Sequence, residues 1–274
     1  MAVTPSGTDP MRCHDPDARR LAWRTTAAIA SIERADALVA LPIGAIEQHG
    51  AHLPCVTDAL VADEVTRRAV ARTPRDVNVW TLPLLPYGRS VEHLGFAGTV
   101  ALSSETLLAV CRDIGRSLAA SGFRKLAFVN GHGGQPQLLD VVARDIRIET
   151  GLEVYPVSPH RLGRPAGVEV DPEESAWGLH AGFVETSLLL ALAPDAVDLG
   201  AAVPDGLGIR GRFGGSALLS LEGAFPMAWV TRDLSTTGAV GDPRKADAAV
   251  GEAILDHLAE GVARLFGEIC RFSF

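Results

Sequence analysis

Apolar strand patterns alternate with helical patterns along most of this chain, and this order constrains its fold more than any other sequence feature. Short apolar runs predict strands at 37–43, 77–85, 125–130 and 153–158. Apolar residues at helical spacing predict helices at 59–71, 104–120, 135–149, 183–193 and 242–269. Strands that alternate with helices form βαβ units, in which the strands run parallel. We therefore predict a single α/β domain with a mostly parallel central sheet and helices on both faces.

The composition excludes several classes of function. The chain has 274 residues and a formal net charge of -8, without a run of Lys and Arg, which argues against a nucleic-acid partner. No apolar stretch is long enough to span a membrane, and residues 1–20 lack the apolar core of a signal peptide. We interpret 1–20 as a flexible tail before a domain at 21–274. The cysteines have no paired spacing, which is typical of reduced thiols in a cytoplasmic protein.

One short segment directly after the first predicted strand is rich in metal-ligand side chains. It contains Glu47, His49 and Asp58, and polar residues just beyond a buried strand are where open α/β proteins build their sites. Glu47 and His49 share one side of an extended chain, and the glycine and proline that follow allow Asp58 to fold back toward them. Cys55 in the same segment is either a further ligand or a small packing residue.

Two later segments carry ligand-type side chains to similar positions. His132 follows the strand at 125–130, and His180 precedes a helix whose start holds Glu185. A carboxylate at Glu185 is costly to bury unless it is paired or bound to a metal, although it could also serve the helix N-terminus. Together the segments offer enough carboxylates and imidazoles for two ions with one shared carboxylate. Such ligands suit Zn, Mn or Fe(II), and two metals polarise a carbonyl and generate hydroxide at neutral pH.

Several short motifs occur in a fixed order along the chain. They are Leu41–Gly50 with Leu53, Pro54 and Asp58; Tyr87-Gly88 with Glu92-His93 and Phe96–Thr99; Val129–Gly134; His180–Gly182 with Glu185–Ser187; and Gly238 with Gly241–Pro243. In these motifs, which run over residues 35–245, the chain resembles the creatininase family of metal-dependent amidohydrolases. The resemblance implies a creatininase-like α/β fold and a homo-oligomer, for which a hexamer is one form that the family allows.

The resemblance also implies a role for individual residues. The implied ligands are Glu47, Asp58 and His132 for one ion and His49, Asp58 and Glu185 for the other, with Asp58 bridging. His180 would act as an acid/base or as a transition-state stabiliser. His180 and Glu185 are five residues apart, about 140° on one helix, so both can face the site only if His180 lies in the loop before the helix.

The chain departs from creatininase itself after the histidine of the Asn-Gly-His motif. Creatininase has an aromatic residue and a Glu ligand there, whereas this chain has Gly133 and Gly134. By resemblance to other branches the ligand role falls to Glu185, and creatinine is not the expected substrate. Those branches cleave a formamide in a flavin or deazaflavin precursor, or a peptide bond of the mycofactocin precursor.

The expected function is therefore a dinuclear-metal hydrolase that cleaves a non-standard amide bond of a small molecule or a short peptide. A mycofactocin-precursor-type peptidase is the alternative. In the expected mechanism hydroxide attacks the amide carbonyl, and His180 assists proton transfer to the leaving nitrogen. Glu92 and His93 are predicted to line the pocket, or else to be surface residues of a loop. Trp177 is predicted to stack on a substrate, or else simply to pack.

Other functions have weaker support in the sequence. Gly206-x-Gly208-x-x-Gly211 has the spacing of a dinucleotide fingerprint, but no convincing strand precedes it and no clear helix follows, so we interpret it as a loop. The chain lacks the GxSxG elbow of a serine hydrolase and the second histidine-rich motif of a metallophosphoesterase. A non-catalytic scaffold protein that binds metals only structurally is a further alternative. Structural zinc sites favour closed shells of thiolate or imidazole ligands, whereas a shared carboxylate is typical of catalytic sites. The apolar stripe of the predicted C-terminal helix would cap the core or meet another subunit.

Overall fold

Four parallel strands form the central sheet of the computed structural model, which describes residues 19–274. The strands are β1 (Leu38–Ile43), β2 (Val79–Thr81), β3 (Lys125–Asn130) and β4 (Glu153–Val157), in the spatial order β2-β1-β3-β4. β1 and β3 are in register from Leu38 opposite Lys125 to Ile43 opposite Asn130. Because both strands end at one level, the segments that follow them leave the same edge of the sheet.

The helices occupy the positions between and after the strands. They are α1 (Thr26–Ala30), α2 (Thr57–Arg72), α3 (Ser104–Ala120), α4 (Pro136–Thr150), α5 (Pro172–Trp177), α6 (Phe183–Leu192), α7 (Arg210–Phe213), α8 (Thr231–Leu234) and α9 (Ala248–Arg271). Short 3-10 turns occur at Leu21–Trp23, Val91–His93, Pro159–Leu162, Pro194–Ala196, Leu199–Ala201, Leu207–Ile209 and Pro243–Lys245. Within residues 19–274, no helix has the length and apolar character needed to cross a bilayer.

Helices cover both faces of the sheet, as predicted, because successive strand residues point to opposite sides. On one face Val39 and Phe128 pack with α3 and α4 in a buried apolar cluster. On the other face Leu38 and Ala127 pack with residues of α2, α6 and α9. The predicted α/β architecture with a parallel sheet is therefore confirmed.

The second strand is shorter than the predicted run at 77–85. After β2 the chain still runs beside β1, since the N–H groups of Leu82 and Leu85 donate to β1 carbonyls at 2.9 Å. Pro83 lies between these two residues and has no N–H, so a continuous ladder cannot form. The predicted strand is thus three regular residues followed by isolated β-type contacts.

The C-terminal helix begins at Ala248, whereas the sequence pattern predicted a start at 242. Asp242 instead caps the short 3-10 turn that follows it, and Asp247 caps α9 by accepting two backbone N–H bonds at 2.8 and 3.1 Å. The apolar stripe of α9 packs in the core of this chain, as the first of the two predicted alternatives requires. Its buried members are Ile254, Leu258, Val262 and Ile269.

Residues 1–18 of the predicted tail at 1–20 lie outside the described residues. The two described residues of that range contact the sheet: the Arg19 carbonyl accepts from Thr81 N at 2.9 Å, and Arg20 forms a bridge with Thr81. The domain boundary at residue 21 stays a prediction.

The glycine motif at 206–211 does not have the surroundings of a dinucleotide fingerprint. An isolated bridge at Asp205 precedes it, a 3-10 turn at Leu207–Ile209 lies within it, and the four-residue α7 begins before its last glycine. The segment predicted as a loop is thus partly helical. Its Ile209 and Phe213 pack with Leu221 in a small apolar cluster of their own, which explains why the chain turns inward here.

Candidate metal centre

The ends of β1 and β3 bring three predicted ligands together. Glu47 follows β1, His132 follows β3, and Asp58 lies in the first turn of α2. His132 Nδ1 is 2.8 Å from Asp58 Oδ2 and 3.1 Å from Glu47 Oε2. All three side chains are buried. The register of the two strands explains this meeting, because it places the segments after them side by side.

Two glycines allow the start of α2 to approach the ends of both strands. A Cβ atom at Gly44 would lie 2.4 Å from the Ala59 Cα atom, and a Cβ at Gly131 would lie 2.5 Å from the Asp58 carbonyl oxygen. Any larger residue at either position would push α2 away from the sheet. The Glu47 N–H also donates to the Cys55 carbonyl at 3.0 Å, which closes the connection between β1 and α2.

A second group of predicted ligands shares Asp58 with the first. His49 Nε2 is 3.2 Å from Asp58 Oδ1 and 3.9 Å from Glu185 Oε2. Glu185 lies in the first turn of α6 and also accepts from the Ala181 N–H at 2.5 Å, so it serves the helix start as well as facing the group. Its side chain is 29% exposed, while His49 is fully buried. The group therefore reaches solvent on the Glu185 side.

His180 lies in the loop before α6, the position that the spacing to Glu185 requires. Ala181 has a φ of 54° and Gly182 is the N-cap, so the helix starts only after the turn. Reciprocal backbone hydrogen bonds with Val240, at 2.8 and 3.0 Å, hold the loop. His180 Nδ1 then lies 3.7 Å from Glu47 Oε1.

The donor set fits divalent metal ions. Within the described residues, three groups have ligand atoms within 4.8 Å of one another: Glu47, Asp58 and His132; His49, Asp58 and Glu185; and Glu47, His49 and His180. We call Glu47, His49, Asp58, His132 and Glu185 the ligand cluster. Its atoms Glu47 Oε2 and His49 Nε2 are buried and make no well-aligned hydrogen bond, although His132 Nδ1 and Asp58 Oδ1 lie 3.1 and 3.2 Å from them, and a bound cation would satisfy both atoms. Cys55 belongs to none of these groups.

The carboxylates of the cluster determine the protonation of its imidazoles. Burial by itself lowers the pKa of His49, but Asp58 and the other carboxylates outweigh it and raise this pKa to about 10. The same opposition raises the pKa of His132 well above its ordinary value. Burial raises the pKa of Glu185 to about 7. A divalent cation would replace the protons on the two imidazoles, because imidazole binds metal only in its neutral form.

His180 differs from these rings in its charge. Burial and then the neighbouring positive charge of His49 lower the pKa of His180 well below the ordinary value. The ring is therefore neutral beside a cluster of charged groups. A neutral imidazole can accept or pass on a proton, which a permanently charged one cannot.

Glu92 and His93 border the ligand cluster and are buried, so neither is a surface residue of a loop. Glu92 Oε1 is 3.4 Å from His132 Nε2, and its other oxygen accepts from Arg89 Nη1 at 2.8 Å. His93 Nε2 is 3.4 Å from Glu47 Oε1. Both side chains are positioned to orient residues of the cluster.

Trp177 lies at the end of α5 and packs against Phe213, with ring centroids 5.9 Å apart. It contributes to the small apolar cluster around Ile209 and Leu221. This contact agrees with the packing alternative for Trp177, and stacking on a substrate stays a prediction.

Two buried residues next to the cluster had no assigned role in the sequence. Gln48 contacts the rings of His93 and His180, at 2.9 and 3.2 Å. Thr231, in the first turn of α8, contacts His93 Nδ1 at 2.9 Å through its hydroxyl. Gln48 could have been suspected from its place between Glu47 and His49. Nothing in the sequence points to Thr231, because its contact depends on how a distant segment folds back.

Known proteins are similar to this chain in sequence and in architecture. A family model described as "Creatininase: Creatinine amidohydrolase" matches residues 22–266. The mycofactocin precursor peptide peptidase of Mycobacterium tuberculosis (strain ATCC 25618 / H37Rv) is 34% identical over 238 residues, covering 82% of this chain and 83% of that protein. The creatinine amidohydrolase of Pseudomonas putida is 34% identical over 186 residues, covering 62% of this chain and 70% of that protein.

Solved structures agree with this similarity. A crystal structure of creatinine amidohydrolase (creatininase) has a TM-score of 0.72 at 27% identity and covers 93% of this chain and 99% of that chain. A structure described as "Creatininase Mn" has a TM-score of 0.71 at 26% identity and covers 92% and 98% of the two chains.

Proposed function

This chain belongs to the creatininase family of metal-dependent hydrolases that act on C–N bonds, and on that premise we propose that its ligand cluster holds two divalent ions for amide hydrolysis. The observation that carries this proposal is the position of Asp58. Its Oδ1 faces His49 and its Oδ2 faces His132, at 3.2 and 2.8 Å, as expected of a carboxylate shared by two ions.

The proposed ligands divide into two sets. One ion is held by Glu47, Asp58 and His132, and the other by His49, Asp58 and Glu185. Both sets mix nitrogen and oxygen atoms without thiolate, which suits Zn, Mn or Fe(II). When bound, such ions supply Lewis acidity toward the amide carbonyl and lower the pKa of water. Structural zinc sites prefer closed thiolate or imidazole shells, so the shared carboxylate favours catalysis over a scaffold role.

His180 is the proposed catalytic residue. Its neutral ring lies beside Glu47, and its backbone is held on both sides by Val240. It would transfer a proton toward the leaving nitrogen during hydrolysis. Glu92 and His93 would line the pocket wall on the inner side, and Glu185 marks the side open to solvent.

Among the candidate substrates, a short peptide has more support than creatinine. Creatinine is disfavoured because Gly134 stands where creatininase has a carboxylate ligand. The relatives described as mycofactocin precursor peptide peptidases cover 82% of this chain, against 62% for the creatinine amidohydrolase of Pseudomonas putida. Cleavage of a precursor peptide is therefore the second, more specific candidate function.

The test is turnover by purified protein loaded with zinc, manganese or iron(II). Cyclic ureides, formamides and short peptides are the substrates to screen, and we expect hydrolysis in at least one class. Glu47→Ala and His132→Ala should abolish activity and lower the metal content, whereas His257→Ala, on α9 with its ring against the Leu162 carbonyl, should change neither. Full metal content and full activity in both cluster variants would overturn the assignment.

Assembly and location are further proposals. Because the chain resembles the family, we expect a homo-oligomer. Light scattering after size-exclusion chromatography would measure the molar mass of the assembly. A cytoplasmic location is consistent with the free thiols of Cys55, Cys111 and Cys270.

A further inference from the structure

Gln48 is held in a closely fitted cradle between two proposed ligands. Its side chain is buried, and a Cβ atom at Gly238 would lie only 2.0 Å from Gln48 Oε1. Gly238 also has a φ of 95°, which favours glycine. The backbone around this amide is therefore shaped to accept it in one position.

The orientation of the Gln48 amide follows from its backbone partners. Oε1 accepts from the Gly50 N–H at 2.9 Å, and Nε2 donates to the Gly238 carbonyl at 3.0 Å. A reversed amide would place two donors together at Gly50 and two acceptors together at Gly238. With one N–H used on Gly238, the amide has one N–H left to donate.

The His180 ring is oriented by the backbone of the same residue. His180 Nε2 lies 2.6 Å from the Gln48 carbonyl oxygen, which can only accept, so Nε2 carries the proton. The Gln48 Nε2 atom lies 3.2 Å from His180 Nε2, but both atoms carry protons, so they do not bond to each other. The N–H groups of the amide point to other acceptors. In a neutral ring this leaves Nδ1 unprotonated, on the side that faces Glu47.

The remaining N–H of Gln48 goes to His93. Gln48 Nε2 is 2.9 Å from His93 Nδ1, which therefore accepts, and the proton of His93 lies on Nε2, 3.4 Å from Glu47 Oε1. In the other tautomer the His93 Nδ1–H would face the N–H of the Gln48 amide. The lone pair of His93 Nε2 would then face the Glu47 carboxylate. The Thr231 hydroxyl has a single proton and lies 2.9 Å from His93 Nδ1 and 3.0 Å from the Glu92 carbonyl. A hydroxyl that donates to the Glu92 carbonyl would itself accept from an Nδ1–H, so this one contact favours the other tautomer. The contacts with the Gln48 amide and the Glu47 carboxylate both favour the Nε2–H form and outweigh it.

We propose that Gln48 is a positioning residue that fixes the tautomers of both histidines, through its side chain for His93 and its backbone carbonyl for His180. As a result, His180 presents an unprotonated Nδ1 to the site and begins the reaction as a proton acceptor. This inference rests on the proposed catalytic role of His180, but the tautomers themselves can be measured without any substrate.

The test is ¹⁵N NMR of histidine-labelled, chelator-treated full-length protein, with His93→Gln and His180→Gln variants to assign the signals. We expect the Nε2–H tautomer for both rings. In Gln48→Met the His93 signal should change to a mixture of tautomers while His180 keeps the Nε2–H form, because its backbone partner remains. In Gln48→Glu the carboxylate should draw the His93 proton to Nδ1. We also expect Gln48→Met to weaken zinc binding about tenfold in a chelator competition.

Gln135→Met is the matched control, since Gln135 is another buried glutamine near the strand ends. It bonds Arg89 N, Asn130 Oδ1 and the Gly44 carbonyl, but no imidazole. Its removal should leave both tautomers unchanged. An Nδ1–H tautomer for His180 in the wild-type protein, or an unchanged His93 signal in both folded Gln48 variants, would overturn the inference. Absence of amide hydrolysis with these tautomers present would instead overturn the proposed function.

Discussion

The Nδ1 atom of His132 lies 2.8 Å from Oδ2 of Asp58, although the two residues are 74 positions apart in the chain. The opposite oxygen of the same carboxylate lies 3.2 Å from His49. Asp58 thus joins the segment after β1 to the segment after β3. Its place in the first turn of α2 also favours its negative charge.

The shared position of Asp58 predicts that Asp58→Asn affects both proposed ions. We expect metal content, measured by plasma mass spectrometry after loading with zinc, to fall from about two ions per chain toward none. Glu185→Gln should lower it by about one, because Glu185 belongs to a single group. Asp63→Asn, on the same helix, is the control and should bind as the wild type does. Equal metal content in the Asp58 and Asp63 variants would contradict the bridging role.

The two glycines after His132 should differ sharply in their tolerance of a methyl group. A Cβ at Gly134 would lie 1.7 Å from Glu92 Oε1 and 2.6 Å from His132 Nε2, whereas a Cβ at Gly133 would meet nothing within 4 Å. Gly134→Ala should therefore displace Glu92 and His132 and weaken zinc binding about tenfold or more. Gly133→Ala should bind zinc normally. Similar affinities in a chelator competition for the two variants would show that Glu92 does not support His132.

Lys125 should contribute strongly to stability and not to the site. Its buried ammonium donates to the carbonyls of Ile269, Cys270 and Phe272 at 2.8, 2.9 and 2.5 Å, around the end of α9. Lys125→Met leaves these carbonyls without their donor, and we expect a loss of about 3 kcal/mol in the free energy of unfolding. Urea denaturation would measure this loss.

Lys245→Met is the control for Lys125, since the Lys245 side chain is 77% exposed. It should change stability little. Metal content should stay normal in both variants, because Lys125 lies at the end of β3 opposite to His132. An unchanged unfolding midpoint in Lys125→Met would show that the carbonyls find other partners.

Asp205 should make stability depend on pH in the acid range. Burial alone raises its pKa, but hydrogen bonds from Thr237, Ser235 and Gly206 outweigh burial and hold the pKa well below the ordinary 3.8. A carboxyl group whose pKa is lower in the folded state stabilises the fold above its unfolded pKa, and this contribution is lost as the pH falls further. Asp205→Asn should therefore cost about 1 kcal/mol at neutral pH and progressively less below about pH 4.

Urea denaturation of the wild type and Asp205→Asn at several pH values would measure this difference. Asp195→Asn, at an exposed position, is the control and should differ little from the wild type at every pH. A difference between wild type and Asp205→Asn that stays constant from pH 7 to the acid range would contradict the role of the charge.

Much of the fold could be predicted because its main elements have strong local patterns. The predicted boundaries of α3 and β3 match the structure to the residue, since an amphipathic repeat and a short apolar run each persist over their full length. The predicted start of α9 at 242 was wrong, because two acidic residues, Asp242 and Asp247, are both suitable helix caps. Which of them begins the helix depends on how the chain packs against α6. Pro83 prevents β2 from continuing past Thr81, because it has no N–H to donate. The apolar pattern at 77–85 does not reveal this missing donor.

The class of fold, the family and the residue types available for a metal site follow from local periodicity and from motifs that can be compared directly. Which atoms meet follows only from the packing of distant segments. The register of β1 and β3 and the close approach of α2 at Gly44 and Gly131 bring Asp58 between two histidines. The contacts of Gln48 with His93 and His180 likewise join segments far apart in the chain. Such contacts depend on packing geometry, which no local pattern encodes.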